Sequence, residues 1–384
     1  MDKTNERRTQ NYRIKPLPFT TPLLDSESLT SWIVRASIKQ GCDTTTFTEY
    51  YWPGKRLTIY DIDKGYRHLD PSIHKDISIL ANTNVNRVNQ HTLIHFANEL
   101  ELVSNNAVGV KWSTPLSKRN QYGRIGYPYC PDCMQDDQQA FLKLQWRMSW
   151  TVCCSKHEKF LQTNCPYCEL PFQPLLSRIE LRNINRCYHC EHKITKVTSY
   201  PVSTTILKYH ELVEGVWLNK QGKIFGRLVG CDEWFDYLLF AINLTRIAVK
   251  HPNYMFGKLL GEFGIAFSKI KRSKTSLRFD YLSIDERVLL LEVAYQVIQI
   301  SIAQWIQACR ELRVTQNSFN WSKRNRIPSV FLPIYDQLDF SPKRQSTKRT
   351  VSNPAPPETV IMEWNRLKRK IEMQQQYERH LEKE

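Results

Sequence analysis

The sequence predicts a mostly α-helical fold with a small cysteine-rich β insert in the middle of the chain. Eight of the 11 cysteines fall between residues 120 and 200, and apolar residues at helical spacing recur on both sides of this region. A chain of 384 residues is long enough for two or three domains. The expected order is a basic lead (1–16), a helical domain (17–119), the cysteine-rich region (120–200), a second helical domain (201–340), a linker (341–357) and a terminal helix (358–384).

The first helical domain begins with an amphipathic helix. Ser26 and Ser28 are candidate N-caps before an apolar stripe that starts at Leu29 and Trp32. Two further helices are predicted at Ile73–Ala81 and Val85–Leu100, joined by three residues, which is typical of a helix-turn-helix. Any two helices with a short loop give the same pattern, so this pair alone does not decide whether the domain binds DNA.

The cysteine-rich region contains four pairs of metal-ligand residues, each pair separated by two residues. They are Cys130 and Cys133, Cys154 and His157, Cys165 and Cys168, and Cys187 and Cys190. These are the spacings of zinc knuckles, in which both ligands of a pair reach one ion. The sequence therefore predicts two Zn²⁺ per chain, one held by three cysteines and a histidine and one by four cysteines. Because neither set leaves a position for water, both sites are expected to be structural.

The pattern leaves two alternatives open at the metal sites. Cys153 could replace Cys154, because a spacing of three residues before His157 is also permitted. The pairs could also interleave, first with third. Sequential pairing is the simpler arrangement, because only seven residues separate His157 from Cys165.

Aromatic and apolar residues nearly alternate between the first two pairs. This run includes Phe141, Leu144, Trp146, Met148 and Trp150. Such alternation predicts β-strands that pack on a small metal-stapled core.

The second helical domain has helical stripes near residues 205–219, 233–249 and 284–312, the last preceded by a capping box from Ser283 to Glu286. The sequence from His210 to Glu214 resembles a metalloprotease helix, but its second histidine is missing, and it is interpreted as an ordinary helix face.

Residues 301–328 resemble a repressor-type helix-turn-helix, with a second helix over 316–326. Its candidate nucleic-acid contacts are Gln316, Asn317, Asn320, Lys323, Arg324 and Arg326. Arg313 stands where the turn usually has glycine, and a basic surface helix is the alternative. The linker that follows leads to a terminal helix whose apolar stripe, from Val360 to Ile371, predicts that it docks on a partner or on the rest of the chain.

The net charge and the absence of common catalytic motifs restrict the classes of function that the sequence favours. The net charge of +16 favours a polyanionic partner such as nucleic acid. No glycine-rich phosphate loop occurs. The nearest candidates for paired catalytic carboxylates, Asp61 with Asp63 and Asp136 with Asp137, lack a third partner, and the first pair is expected to cap or to pair with basic residues. The chain is therefore predicted not to be an enzyme; a zinc-containing nuclease or transposase is the alternative.

Two features bear on the compartment of the protein. Residues 1–15 do not look like a secretion signal. The longest apolar-rich stretch, 288–306, is interrupted by Glu292 and three glutamines, so no membrane partner is expected. An intracellular protein is therefore expected.

Residues 17–200 resemble the TniQ/TnsD family of transposition proteins. The resemblance rests on Glu27–Trp32 with Arg35 and Ala36, and on the ordered series Cys130-Pro131-x-Cys133, Trp146-Arg147, Cys154-x-x-His157, Leu161 and Cys165-Pro166-x-Cys168. It implies a bacterial, nucleoid-associated cytoplasmic protein that selects target DNA for a heteromeric transposon without cutting it.

The same resemblance implies the partners of the protein. They are target DNA, the AAA+ ATPase TnsC and, in the shorter members that act as a homodimer, a CRISPR Cascade complex with guide RNA. Direct binding of an attachment site, as in TnsD, or a free-standing helix-turn-helix repressor are the alternatives.

Overall fold

The computed structural model describes residues 14–65, 70–100, 110–116, 125–136, 139–195, 201–271, 277–319, 327–340 and 356–381. Most of the regular structure in these residues is helical, and the strands form two short antiparallel hairpins. The expected mostly α-helical fold class is confirmed.

The N-terminal part consists of five short helices. They are α1 (Leu29–Lys39), α2 (Thr44–Tyr51), α3 (Pro71–Leu80), α4 (Val85–Gln90) and α5 (Leu93–Glu99). The predicted cap of α1 is present, since the Ser28 side chain accepts a hydrogen bond from the Ser31 amide. Nine of the 11 residues of α1 are buried, which makes α1 the central helix of this part.

The prediction of one helix over Val85–Leu100 is wrong. α4 ends at Gln90, and a new helix, α5, begins after Thr92, whose hydroxyl accepts a hydrogen bond from the His95 amide at 3.3 Å. Apolar residues continue at helical spacing on both sides of Thr92. The helix nevertheless breaks there, because the Thr92 side chain caps the start of a new helix. The N-terminal helix-turn-helix stays a prediction.

The middle of the chain is built around helix α6 (Pro131–Asp136) and a two-stranded hairpin of β1 (Cys153–Cys154) and β2 (Lys159–Phe160). The prediction of β-strands between the first two cysteine pairs is wrong. Residues Leu144–Arg147 form a 3-10 turn, and the neighbouring chain makes only isolated bridges, among them Glu27 with Lys143. The apolar side chains of this segment, such as Trp146 and Met148, are nevertheless buried.

The C-terminal half is helical with one hairpin. Its elements are α7 (Thr204–Asn219), β3 (Gln221–Ile224), β4 (Arg227–Gly230), α8 (Cys231–Lys250), α9 (Met255–Glu262), α10 (Ile284–Ile298), α11 (Ile302–Glu311) and α12 (Leu332–Tyr335). The predicted capping box of Ser283 and Glu286 is confirmed. The predicted segment 284–312 is two helices, because Ser301 starts a second capping box with Gln304.

The described apolar residues form two cores. One lies among the N-terminal helices, from Leu17 to Val88. The other joins the cysteine-rich region to the C-terminal helices; for example, the Trp150 ring lies 4.3 Å from that of Phe235 on α8. The cysteine-rich region and the C-terminal helices therefore share one core.

The last helix, α13 (Pro357–Leu381), leaves its predicted apolar stripe exposed, including Trp364 at 63%. Among the described residues, no single helix is long and apolar enough to cross a membrane, although α10 and α11 reach that length and composition as a pair bent by 99°.

Candidate metal centres

The first cluster combines Cys130, Cys133, Cys154 and His157. Cys130 and Cys133 lie at the start of α6, Cys154 is in β1, and His157 is in the turn between β1 and β2. His157 Nδ1 lies 3.3 Å from Cys133 Sγ, 3.4 Å from Cys130 Sγ and 3.8 Å from Cys154 Sγ. The three cysteines are buried, so the donor atoms converge on a site closed to solvent on most sides.

The second cluster combines Cys165, Cys168, Cys187 and Cys190. The Sγ atoms of Cys165 and Cys190 are 3.5 Å apart, and those of Cys168 and Cys187 are 3.7 Å apart. The two pairs sit on equivalent turns. After each second cysteine comes a glutamate with positive φ, Glu169 at 59° and Glu191 at 63°, whose amide donates to the carbonyl of the first cysteine.

The separations of the donor atoms fit a tetrahedral zinc ion. With ligands about 2.3 Å from the metal, the edge of a tetrahedron is about 3.8 Å, and a nitrogen ligand shortens it slightly. The separations given above, 3.3–3.8 Å, match that edge and are far longer than a disulfide bond. Thiols and an imidazole are also the donors that zinc prefers.

The local environment favours the thiolate form of one cysteine in each cluster, Cys154 in the first and Cys190 in the second. The neighbouring thiols of Cys130 and Cys133, followed by backbone amides of the turn, lower the pKa of the Cys154 thiol. Burial opposes ionisation of Cys190, but the His192 amide and the Cys165 thiol lower its pKa to about 6. Since a thiolate is the form that binds zinc, these groups are prepared for the metal.

The structure answers both questions that the sequence left open at the metal sites, namely how the four pairs group and which of Cys153 and Cys154 is the ligand. The ligand residues group as first with second pair and third with fourth, which is the sequential arrangement. Cys154 points into the first cluster, whereas Cys153 is outside it and its backbone amide donates to His210 Nε2 at 3.4 Å. His210 therefore binds backbone next to the metal centre; burial lowers its pKa to about 4 and keeps it neutral.

A buried ion-pair network connects the first cluster's segment to the N-terminal helices. The Arg147 guanidinium donates to Asp61 at 2.8 and 2.9 Å and to Asp63 at 2.7 Å. Asp63 also accepts hydrogen bonds from the Thr30 amide and the Tyr127 hydroxyl. Burial alone would lower the pKa of Arg147, but Asp61 and Asp63 raise it, so the guanidinium stays charged.

The predicted pairing of Asp61 and Asp63 with a basic residue is confirmed, but the sequence does not identify Arg147 as that residue. The pairing joins positions 84 to 86 residues apart, a separation at which no local pattern is informative. Neither aspartate is free to hold a catalytic metal. Asp137 lies outside the described residues.

A second buried pair fixes the N-terminus of α1. Arg35 Nη1 contacts Glu27 Oε2 at 2.5 Å, and the Ser31 hydroxyl donates to the other oxygen of Glu27. His91 Nδ1 donates to the Glu27 carbonyl at 2.6 Å. The polar residues of the Glu27–Trp32 motif thus hold the domain together.

The structure gives little support to the predicted second DNA-reading helix. Gln316 and Asn317 lie in a four-residue 3-10 turn, Gln316–Phe319, where the Gln316 side chain donates to the Tyr335 carbonyl at 3.2 Å. Its amide group is therefore engaged within the protein. The other candidates, Asn320, Lys323, Arg324 and Arg326, lie outside the described residues, and this helix-turn-helix stays a prediction.

Comparison with known proteins agrees with this arrangement. The TniQ family model matches residues 18–161, a segment that begins before α1 and includes the Arg147 network and the whole first cluster. Residues 18–161 are therefore a TniQ domain. No curated protein matches the chain. The TniQ match identifies a protein associated with transposition, and the second cluster and the C-terminal helices lie beyond the matched segment.

Proposed function

We propose that this protein is a target-site selection adaptor of a heteromeric bacterial transposon. In this proposal it marks target DNA and recruits the AAA+ regulator TnsC, as a homodimer together with a Cascade complex. The TniQ match over residues 18–161 carries the proposal. The expected division into a TniQ domain, tandem metal-binding modules and a helical C-terminal domain is part of it.

Each cluster is proposed to hold one Zn²⁺ as a structural ion. Three thiolates and an imidazole, or four thiolates, complete a tetrahedron and leave no position for water. The ion would supply cross-linking of distant segments. In the first cluster it would tie α6 to the β1–β2 hairpin, whose ligands Cys133 and Cys154 are 21 residues apart in the sequence.

A role in recruitment, without catalysis, agrees with how the carboxylates are used. Two-metal cleavage of DNA needs carboxylates that are free to bind Mg²⁺. Asp61 and Asp63 are instead both paired with Arg147, and Asp63 is fully buried. Substituting either one would disturb folding before it affected any chemistry.

The direct test is reconstitution with the predicted partners. The tagged protein, loaded with zinc, is mixed with a TnsC-type ATPase, ATP and a DNA duplex, and the captured complex is analysed. We expect ATPase to be retained only when the tagged protein is present, and expect Cascade subunits to co-purify when expressed together with it. If the ATPase is retained under none of these conditions, that result would contradict the adaptor role.

Direct reading of an attachment site is the second candidate, favoured by the net charge of +16. Binding through about six phosphate contacts would give a slope near −5 in a plot of log affinity against log salt concentration. A slope near zero on duplex DNA would leave targeting through protein or RNA partners alone.

A further inference from the structure

The surface of the second cluster carries a stack of two aromatic rings. Tyr167 lies between the two ligands of one turn, and His192 follows the last ligand of the other. Their ring centroids are 4.4 Å apart and the rings are inclined by 24°. Both residues are exposed, and Tyr167 keeps 48% of its surface accessible although His192 covers one side. The stack is therefore an aromatic surface facing solvent.

The backbone holds both rings in place. The Cys165 amide donates to the Leu170 carbonyl, and the Cys187 amide donates to the His192 carbonyl, which closes each turn. His192 Nδ1 lies 2.9 Å from the Cys190 carbonyl oxygen, which fixes the orientation of its ring. A ligand that stacks on a surface already fixed in this way loses little entropy on binding.

Two basic residues adjoin the stack along the backbone. Lys193 follows His192 directly and forms an antiparallel bridge with Arg186. The nearby Glu191 carboxylate is bonded to Arg178 at 2.9 Å, so its charge is compensated. These groups suit a phosphate that accompanies a stacked base.

The negative charge of the metal-loaded cluster favours binding of a single strand over binding of a duplex. Four thiolates outweigh the charge of one Zn²⁺, so the loaded cluster is a net anion and attracts the dense phosphates of a duplex only weakly. Ring stacking does not depend on that charge, but it requires a base with an accessible face. The bases within a duplex are covered on both faces by neighbouring bases, whereas those of a single strand are accessible.

We propose that the Tyr167–His192 stack binds an unpaired nucleobase of a single-stranded nucleic acid. This site is separate from the predicted contacts at 316–326 and from recruitment of the ATPase. It adds a contact to single strands that the proposed function does not include, and it stands whether or not the chain reads duplex DNA.

The test uses the full-length, zinc-loaded protein and fluorescence anisotropy with three labelled probes of equal length: oligo-dT, oligo-U and a duplex. We expect Tyr167→Leu to weaken binding of the single strands about 5- to 100-fold, and Tyr167→Phe, which keeps the ring, to bind within about twofold of wild type. Tyr254→Leu removes another exposed tyrosine, 72% accessible and outside the cysteine-rich region, and is expected to change nothing. The tighter of the two single-stranded probes identifies DNA or RNA as the source of the base.

Three results would overturn the proposal: no single-strand binding by wild type, equal binding by Tyr167→Leu, or an equal loss on the duplex. Zinc content is measured for every variant, because Tyr167 lies between two ligands. If Tyr167→Leu loses zinc, His192→Leu is used instead, because His192 does not lie between two ligands. We expect His192→Leu to weaken single-strand binding to the same extent, and binding equal to that of wild type would overturn the proposal.

Discussion

Substituting Asp63 tests whether the buried network joins the N-terminal helices to the metal-bearing segment. Asp63 accepts hydrogen bonds from Arg147 at 2.7 Å, from the Tyr127 hydroxyl at 2.7 Å and from the Thr30 amide at 2.8 Å. The Asp63 and Arg147 side chains are both inaccessible to solvent. Asp63→Asn keeps the shape and one acceptor oxygen, but removes the charge that faces the guanidinium.

The expected cost follows from what remains around Arg147. Removing one partner of a buried ion pair costs about 3–5 kcal/mol of unfolding free energy. Asp61 still accepts two hydrogen bonds from Arg147, so we expect the lower end, about 3 kcal/mol. The matched control is Asp25→Asn, which breaks the pair with Arg87; the Asp25 side chain is 95% exposed, and the expected cost is under about 1 kcal/mol.

The assay is urea unfolding of the zinc-loaded protein followed by tryptophan fluorescence. Adding Arg147→Met to Asp63→Asn should cost less than the two single substitutions together, because each single substitution already breaks the same Asp63–Arg147 contact. If Asp63→Asn unfolds at the same urea concentration as Asp25→Asn, the network does not have the stabilising role assigned to it.

Two other predictions concern stability. A Cβ at Gly126 would collide with the backbone of Thr163 and Phe172, so Gly126→Ala should lower the melting temperature by several degrees. Gly215 lies inside α7, and a Cβ there would meet nothing within 4 Å, so Gly215→Ala should raise the free energy of unfolding by up to about 1 kcal/mol. Equal effects of the two substitutions in calorimetry would contradict this prediction. Burial lowers the pKa of His91, so the unfolded chain takes up a proton that the folded chain does not, and stability should fall as pH drops below about 6.5, by at most about 1.4 kcal/mol per pH unit. The urea midpoint of His91→Gln should fall less steeply between pH 7.5 and 5.5 than that of wild type, and parallel curves would contradict this assignment.

The sequence was most informative where a few neighbouring residues decide the structure. A two-residue spacing between cysteines requires a tight turn, and all eight ligand candidates lie together in two clusters. The capping box at Ser283 is equally local, since it depends on two side chains, Ser283 and Glu286, and on their backbone amides three residues apart. The family resemblance rested on such local motifs and agrees with the TniQ match over residues 18–161.

The sequence was least informative where distant residues decide. The alternation between Phe141 and Trp150 predicted strands, but this segment packs against the N-terminus of α1, with the Leu144 amide donating to Ser26. It becomes a 3-10 turn that carries Arg147 to Asp61 and Asp63. The break at Thr92 had a local signal, a capping side chain, which the continuous apolar stripe obscured.

Zinc stoichiometry tests most directly whether two closed metal centres stabilise this protein. Each full-length variant is purified without added metal and its zinc measured per chain. We expect two ions for wild type and for Cys153→Ser, and one each for Cys154→Ser and Cys187→Ser, because Cys153 lies outside the first cluster. A folded wild-type protein with fewer than two zinc ions, or loss of an ion on substituting Cys153 and not Cys154, would contradict this expectation.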